Sequence, residues 1–195
     1  MVPMSSSDPP RFSQDQRRTL LAVARASIEE GLKRGHPLHP RPQDFDPLLA
    51  APGAAFVTLE RAGRLRGCIG SLEARRPLVL DVSENAFAAA FRDPRFPPLS
   101  AGELGDLAIR ISVLSPAEPL EFRSESDLLA KLRPGVDGLV LEDGDRRGTF
   151  LPSVWESLPE PVLFWQQLKQ KAGLPPEHWS DSLKVYRYTT ESFAE

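Results

Sequence analysis

Cys68, the only cysteine in this chain of 195 residues, stands in the run Leu65-Arg66-Gly67-Cys68-Ile69-Gly70. If that run is extended, side chains two apart share a face, so Arg66 lies beside the thiol and its charge favours the thiolate. Gly67 and Gly70 carry no side chain and admit a ligand or another backbone close to the sulfur. The chemistry would be nucleophilic attack or covalent carriage by the thiolate. Backbone N–H groups from Gly67 to Ser71 would stabilise developing negative charge. Arg66 and Arg95, if both face the sulfur, would hold a carboxylate or phosphate through paired hydrogen bonds. The competing reading is structural, because a free cysteine often packs as a small buried hydrophobe.

A cysteine nucleophile needs a base, usually histidine. The chain has three: His36 and His39 in a proline-rich stretch, and His178 in Pro175-Pro176-Glu177-His178-Trp179. No spacing ties any of them to Cys68. His36-Pro37-Leu38-His39 lacks the further cysteine or carboxylate ligands of a metal site, so no metal and no cofactor is expected. Gly67-Cys68-Ile69-Gly70 has the glycine spacing of a backbone-clamping RNA-binding loop, but it ends a strand and does not join helices. No phosphate-binding loop and no G-x-G-x-x-G motif is present.

The elements that must position the thiol are legible from periodicity. Ala55 to Glu60 is rich in strand formers, and Arg64 to Ile69 reads as its return strand after a turn at Ala62-Gly63, so the cysteine run finishes a hairpin. Pro77 opens a helix whose stripe is Leu78, Val82, Ala86, Ala89 and Ala90, ending near Arg92. Three prolines make Asp93 to Leu99 a rigid connection. Ser100 with Glu103 has capping-box spacing, and Leu107, Ile109, Ile111 and Val113 alternate with their neighbours as in a half-buried strand.

Upstream, Ser13 with Gln16 caps a helix carrying Leu20, Ala24, Ile28 and Leu32 on one face and ended by Gly31 and Gly35. Five prolines between Gly35 and Gly53 forbid a long regular element there. Downstream come a short helix over 124–132, stopped by Pro134-Gly135, and a hairpin of Gly138 to Glu142 and Gly148 to Leu151 turning at Asp143-Gly144. A helix from Pro161 is closed by Gly173, and Leu183 to Tyr188 is a last strand. Hairpins and long crossings without a βαβ repeat indicate an α+β fold with largely antiparallel sheets and packed helices. Residues 1–12, polar and proline-bearing, read as disordered, with one domain over 13–195.

With 24 basic and 27 acidic residues the net charge is -3, which offers no general attraction for nucleic acid or anionic membrane. Nineteen of the basic residues are arginine. A single cysteine excludes an internal disulfide and fits a reducing cytoplasm. Met1 to Pro10 has neither the basic nor the apolar segment of a secretory signal, and no apolar stretch is long enough to span a bilayer.

Several motifs together resemble one family, the AMMECR-type domain, known in microbes as AmmeMemoRadiSam system protein A. They are Phe56-Val57-Thr58-Leu59, the cysteine run, Asp93-Pro94-Arg95-Phe96-Pro97-Pro98-Leu99, Gly135-Val136-Asp137-Gly138-Leu139, Leu151-Pro152, Lys171-Ala172-Gly173-Leu174-Pro175 and Val185-Tyr186-Arg187-Tyr188. They follow the family's order from about residue 15 to 193. The resemblance implies two tightly joined, interleaved subdomains, the cysteine motif near a cleft between them, and a cytoplasmic setting. It also implies a pathway shared with Memo-like and radical S-adenosylmethionine proteins, without a settled reaction.

Two functions follow as expectations. The first is a cysteine-dependent enzyme or enzyme subunit acting on an anionic small molecule or protein, with Cys68 as nucleophile and Arg66, Gly67, Gly70, Ser71 and Arg95 binding the ligand. The second is a non-catalytic module that binds a small molecule or peptide around Cys68.

Overall fold

The structure, a computed structural model, describes residues 10–195. In chain order the first elements are α1 (Gln14–Arg34), α2 (Pro47–Ala50), β1 (Pro52–Gly53), β2 (Ala55–Arg61), β3 (Arg64–Gly70), β4 (Arg76–Pro77), α3 (Leu78–Phe91) and β5 (Leu107–Leu114). They are followed by β6 (Glu118–Pro119), α4 (Glu125–Lys131), β7 (Gly138–Asp143), β8 (Arg146–Phe150), α5 (Pro161–Lys171), β9 (Lys184–Tyr188) and β10 (Thr190–Ala194). The fold is α+β, and the chain forms two compact units. One runs to Leu114 and takes in Glu191–Glu195, and the other is Ser115–Thr190.

In the first unit the sheet order is β10-β5-β2-β3, with β2 antiparallel to both β3 and β5. Alternation decides which face is buried: Val57 and Leu59 of β2 and Ile109 and Ile111 of β5 are fully buried, together with Leu20, Ala24 and Ile28 of α1 and Val82 and Ala86 of α3. Each large aliphatic side chain buried in this way contributes about 1.5–3 kcal/mol. Ser13 caps α1 with Gln16 in the expected capping box. Gly35 ends the helix in the left-handed region at φ 77°. Gly31 does not end it. A Cβ there would lie 2.4 Å from the Phe91 ring, so this glycine is where α1 and α3 cross closely.

The disorder expected over 1–12 falls mostly outside the described residues, and it does not extend to Phe12. That ring is 1% exposed in the core, and the N–H groups of Arg11 and Phe12 donate to Glu191. The proline-rich stretch contains a 3-10 turn, Pro42–Asp44, the single-turn α2 and the two-residue β1.

In the second unit the sheet order is β6-β9-β7-β8, packed by Leu139, Leu141, Trp155, Phe164, Trp165 and Leu168. The β7–β8 hairpin turns at residues 144–145, one position later than the sequence indicates. Asp143 stays in the strand, opposite Arg146, and Gly144 takes the left-handed conformation at φ 61°. The two-residue strands β1, β4 and β6, and β10, have no counterpart in the sequence reading.

Candidate functional site

β3 is an edge strand, and Cys68 lies opposite Thr58 of β2, with Sγ 3.3 Å from Thr58 Oγ1. Cys68 is half-buried. The two glycines of the motif serve packing. A Cβ on Gly67 would lie 2.1 Å from the carbonyl oxygen of Ala89, so α3 rests its backbone directly on the strand. A Cβ on Gly70 would lie 2.2 Å from the Phe56 ring, which occupies that space.

The free edge of β3 is closed at Cys68 by the connection after α3. Cys68 N–H donates to Asp93 Oδ2 at 2.9 Å, and Arg95 Nη2 donates to the Cys68 carbonyl at 3.3 Å. The same Asp93 carboxylate receives the Arg95 N–H, Nε and Nη2. Asp93 is buried, and the Arg95 guanidinium holds its carboxyl well below the usual range, against the opposing effect of burial. Arg95 is in turn raised, chiefly by its hydrogen bond to Asp93.

Arg66 is held in the same way by a different carboxylate. Its Nε donates to Glu103 Oε1 at 2.7 Å, and its Nη2 donates to Glu103 Oε2 at 3.2 Å and to the Pro97 carbonyl at 3.0 Å. Glu103 also receives the N–H and hydroxyl of Ser100 in the expected capping box. The Arg66 hydrogen bond is the main reason its carboxyl is lowered to about 2. The Phe96 ring lies under both arginines, 5.9 Å from the Arg66 guanidinium carbon and 5.5 Å from that of Arg95.

Both arginines expected to hold an anion at the sulfur thus have carboxylate partners, and Arg95 also donates to the Cys68 carbonyl. The charges of Arg66 and Arg95 are already met by Glu103 and Asp93, supplied by the segments that close the strand edge. The expected donor set from Gly67 to Ser71 is also committed at Cys68, and again at Ser71, whose N–H donates to the Ala55 carbonyl.

Beside the motif lies a polar cluster that the sequence reading missed. Asp81, 1% exposed, receives Ala55 N–H at 2.9 Å, Ser71 Oγ at 2.7 Å, Arg76 Nε at 2.9 Å and Asn85 Nδ2 at 2.9 Å. Asn85 Nδ2 also donates to the Ala55 carbonyl and Ser71 Oγ. Buried polar groups are tolerated when paired in this way, and the network fixes the exit of β3 against the start of β2. The available signal was Asp81 and Asn85, four residues apart within the apolar stripe of α3.

The histidines each have partners of their own. His36 and His39 are exposed and stacked with ring centroids 6.1 Å apart, and they lie 4.0 and 3.9 Å from Glu30 and Glu84. In the second unit, Asp143 accepts hydrogen bonds from Ser180 and Ser182 and contacts His178 Nε2. Both serines bond the carboxylate and not the imidazole, so this is not the order of a serine nucleophile, base and orienter. The same unit buries Lys169, whose Nζ donates to Glu125 and to the His178 carbonyl. Among the described residues no three His, Cys, Asp or Glu side chains are grouped to hold a metal, and no helix is long and apolar enough to cross a membrane.

The AMMECR1 family model matches residues 21–193. A protein from Methanothermobacter thermautotrophicus is 42% identical over 190 residues, covering 94% of this chain and 96% of that protein. One from Thermotoga maritima is 38% identical over 168 residues, covering 85% and 91%. The crystal structure of an uncharacterized protein from Pyrococcus horikoshii is similar at a TM-score of 0.82 and 38% identity, covering 90% of this chain and 89% of that one.

Proposed function

The chain belongs to the AMMECR1 family, and on that premise we propose that it is a binding module whose surface around Cys68 receives a small molecule or a segment of a partner protein. Cys68 has a passive role there, as a small residue that packs beneath the ligand. The observation that supports this reading is the backbone at Cys68. In nucleophilic catalysis its N–H would be a natural donor to a developing oxyanion. Here it donates to Asp93, and the carbonyl accepts from Arg95. With Arg66 and Arg95 paired to carboxylates, the site is rigid before any ligand arrives, and preorganisation of this kind limits the ordering cost of binding. The partners to try first are the Memo-like and radical S-adenosylmethionine proteins that the sequence resemblance implies, in a cytoplasmic setting.

The test is coprecipitation of the full chain with those two proteins, comparing wild type with Cys68→Ser and Cys68→Ala. Retained binding by both folded variants is expected. Binding abolished by Cys68→Ser in a folded protein would overturn the passive role. The enzyme reading retains one favourable observation, that Cys68 is only half-buried. Iodoacetamide labelling at neutral pH separates the two readings. Labelling of Cys68 no faster than that of an unstructured cysteine peptide fits the binding module, and much faster labelling favours a nucleophile.

A further inference from the structure

A concavity lies at the tip of the β2–β3 hairpin, lined by Arg61, Arg64, Leu65, Arg66, Glu103 and Asp106. Cys68 does not line it, and it shares only Arg66 and Glu103 with the surroundings of the binding surface proposed above. Three guanidinium groups face two carboxylates, and the pairing is incomplete. Glu103 is shared between Arg66, at hydrogen-bond distance, and Arg61, at 3.6 Å. Arg61 reaches Asp106 only at 3.7 Å. Arg64 is exposed and has no side-chain partner among the described residues.

Arg66 carries the second observation. Its side chain is 11% exposed, and Nη1 is shut from solvent without a hydrogen-bond partner among the described residues, although Nε and Nη2 are both satisfied. A buried guanidinium nitrogen without an acceptor is uncommon and calls for an anion or water to complete it. The neighbouring side chains of Arg64 and Leu65, the latter 45% exposed, lie on the surface.

We infer that this concavity is an oxyanion site, in which Arg61 and Arg64 take up a phosphate or carboxylate group and Arg66 Nη1 completes its coordination. Guanidinium forks suit both groups, and Leu65 offers an apolar contact to the rest of the ligand.

The experiment is a titration of the full chain, isotope-labelled at arginine, with sodium phosphate and separately with sodium succinate. It is run near neutral pH, with ionic strength held by sodium chloride. Saturable shifts of the Nε–H signals of Arg61, Arg64 and Arg66 are expected. Arg64→Gln should weaken binding at least about fivefold, and Asp106→Asn, which removes a competing carboxylate, should tighten it about twofold. Arg18→Gln, at an exposed residue paired with Asp15, should leave the affinity unchanged. Saturation by phosphate alone assigns the site to phosphate groups, by succinate alone to carboxylates, and by both to oxyanions in general. Shifts that do not saturate and that chloride reproduces overturn the proposal, as does an affinity that neither Arg64→Gln nor Arg61→Gln alters.

Discussion

Asp93 accepts the backbone N–H of Cys68 and so takes the place of the missing neighbour strand at the edge of the sheet. Unpaired strand edges template association with other chains, and covering them is a common protection. Here the cover is a buried carboxylate that also holds Arg95. Replacing Asp93 with Ala leaves the Cys68 N–H and Arg95 without their acceptor, and is expected to destabilise the fold by about 3 kcal/mol. Urea denaturation measures this, and light scattering should show more self-association in the variant.

The same carboxylate makes stability depend on acid. Its native value lies below the unfolded one of about 3.9, so its contribution is complete above that pH and disappears as pH falls through the native value. Asp93→Asn should flatten this part of the stability profile, read from urea midpoints at successive pH values. An unchanged slope would show that other carboxylates carry it.

The two glycines of the cysteine motif should respond differently to alanine. At Gly67 the added carbon meets the Ala89 main chain, which cannot move without shifting α3, and a loss of about 3 kcal/mol is expected. At Gly70 it meets the Phe56 ring, a partly exposed side chain that can rotate, and about 1 kcal/mol is expected. Thermal unfolding of both variants checks the order.

Ala62 begins the β2–β3 turn at φ 49°, followed by Gly63 at φ 71°. Residues with a Cβ are disfavoured there, so Ala62→Gly is expected to stabilise the protein by about 1 kcal/mol, and Ala62→Asn to help as well. Neither should alter Cys68 labelling.

Asp143 lies low, at about 2, chiefly because Ser182 donates to it, with His178 and Ser180 adding to the effect. The stabilisation it gives the loop is complete above the unfolded value of about 3.9 and is lost as pH falls toward about 2. In Ser182→Ala the carboxyl midpoint, followed by carbon NMR, should move up toward the unfolded value.

The elements around the motif were legible because long amphipathic segments carry their own period. β2, β3, β5, α1 and α3 all lie close to where the sequence placed them. β1, β4 and β6 are too short to show a period, and β10 has Phe193 as its only large apolar residue. The site was legible only in part. Placing Arg66 on the same strand face as Cys68 said nothing of Glu103, thirty-seven residues further on, or of Asp93, twenty-five beyond the cysteine. Local spacing therefore found the thiol and its arginines, but the carboxylates that neutralise those arginines depend on how the connection after α3 folds back.

β10 joins the sheet of the first unit, while the ends of the second unit are tied by the Ser115 N–H donating to the Thr189 carbonyl. The second unit is thus an insertion whose entry and exit strands are fastened side by side. During synthesis the first unit must wait with an open sheet edge at β5 until the whole insertion has been made. Residues made after the insertion then close that edge: β10 pairs with β5, Glu191 receives the N–H groups of Arg11 and Phe12, and Glu195 receives Arg25. Losing residues 191–195 would therefore remove a structural member from the part of the protein that is made first.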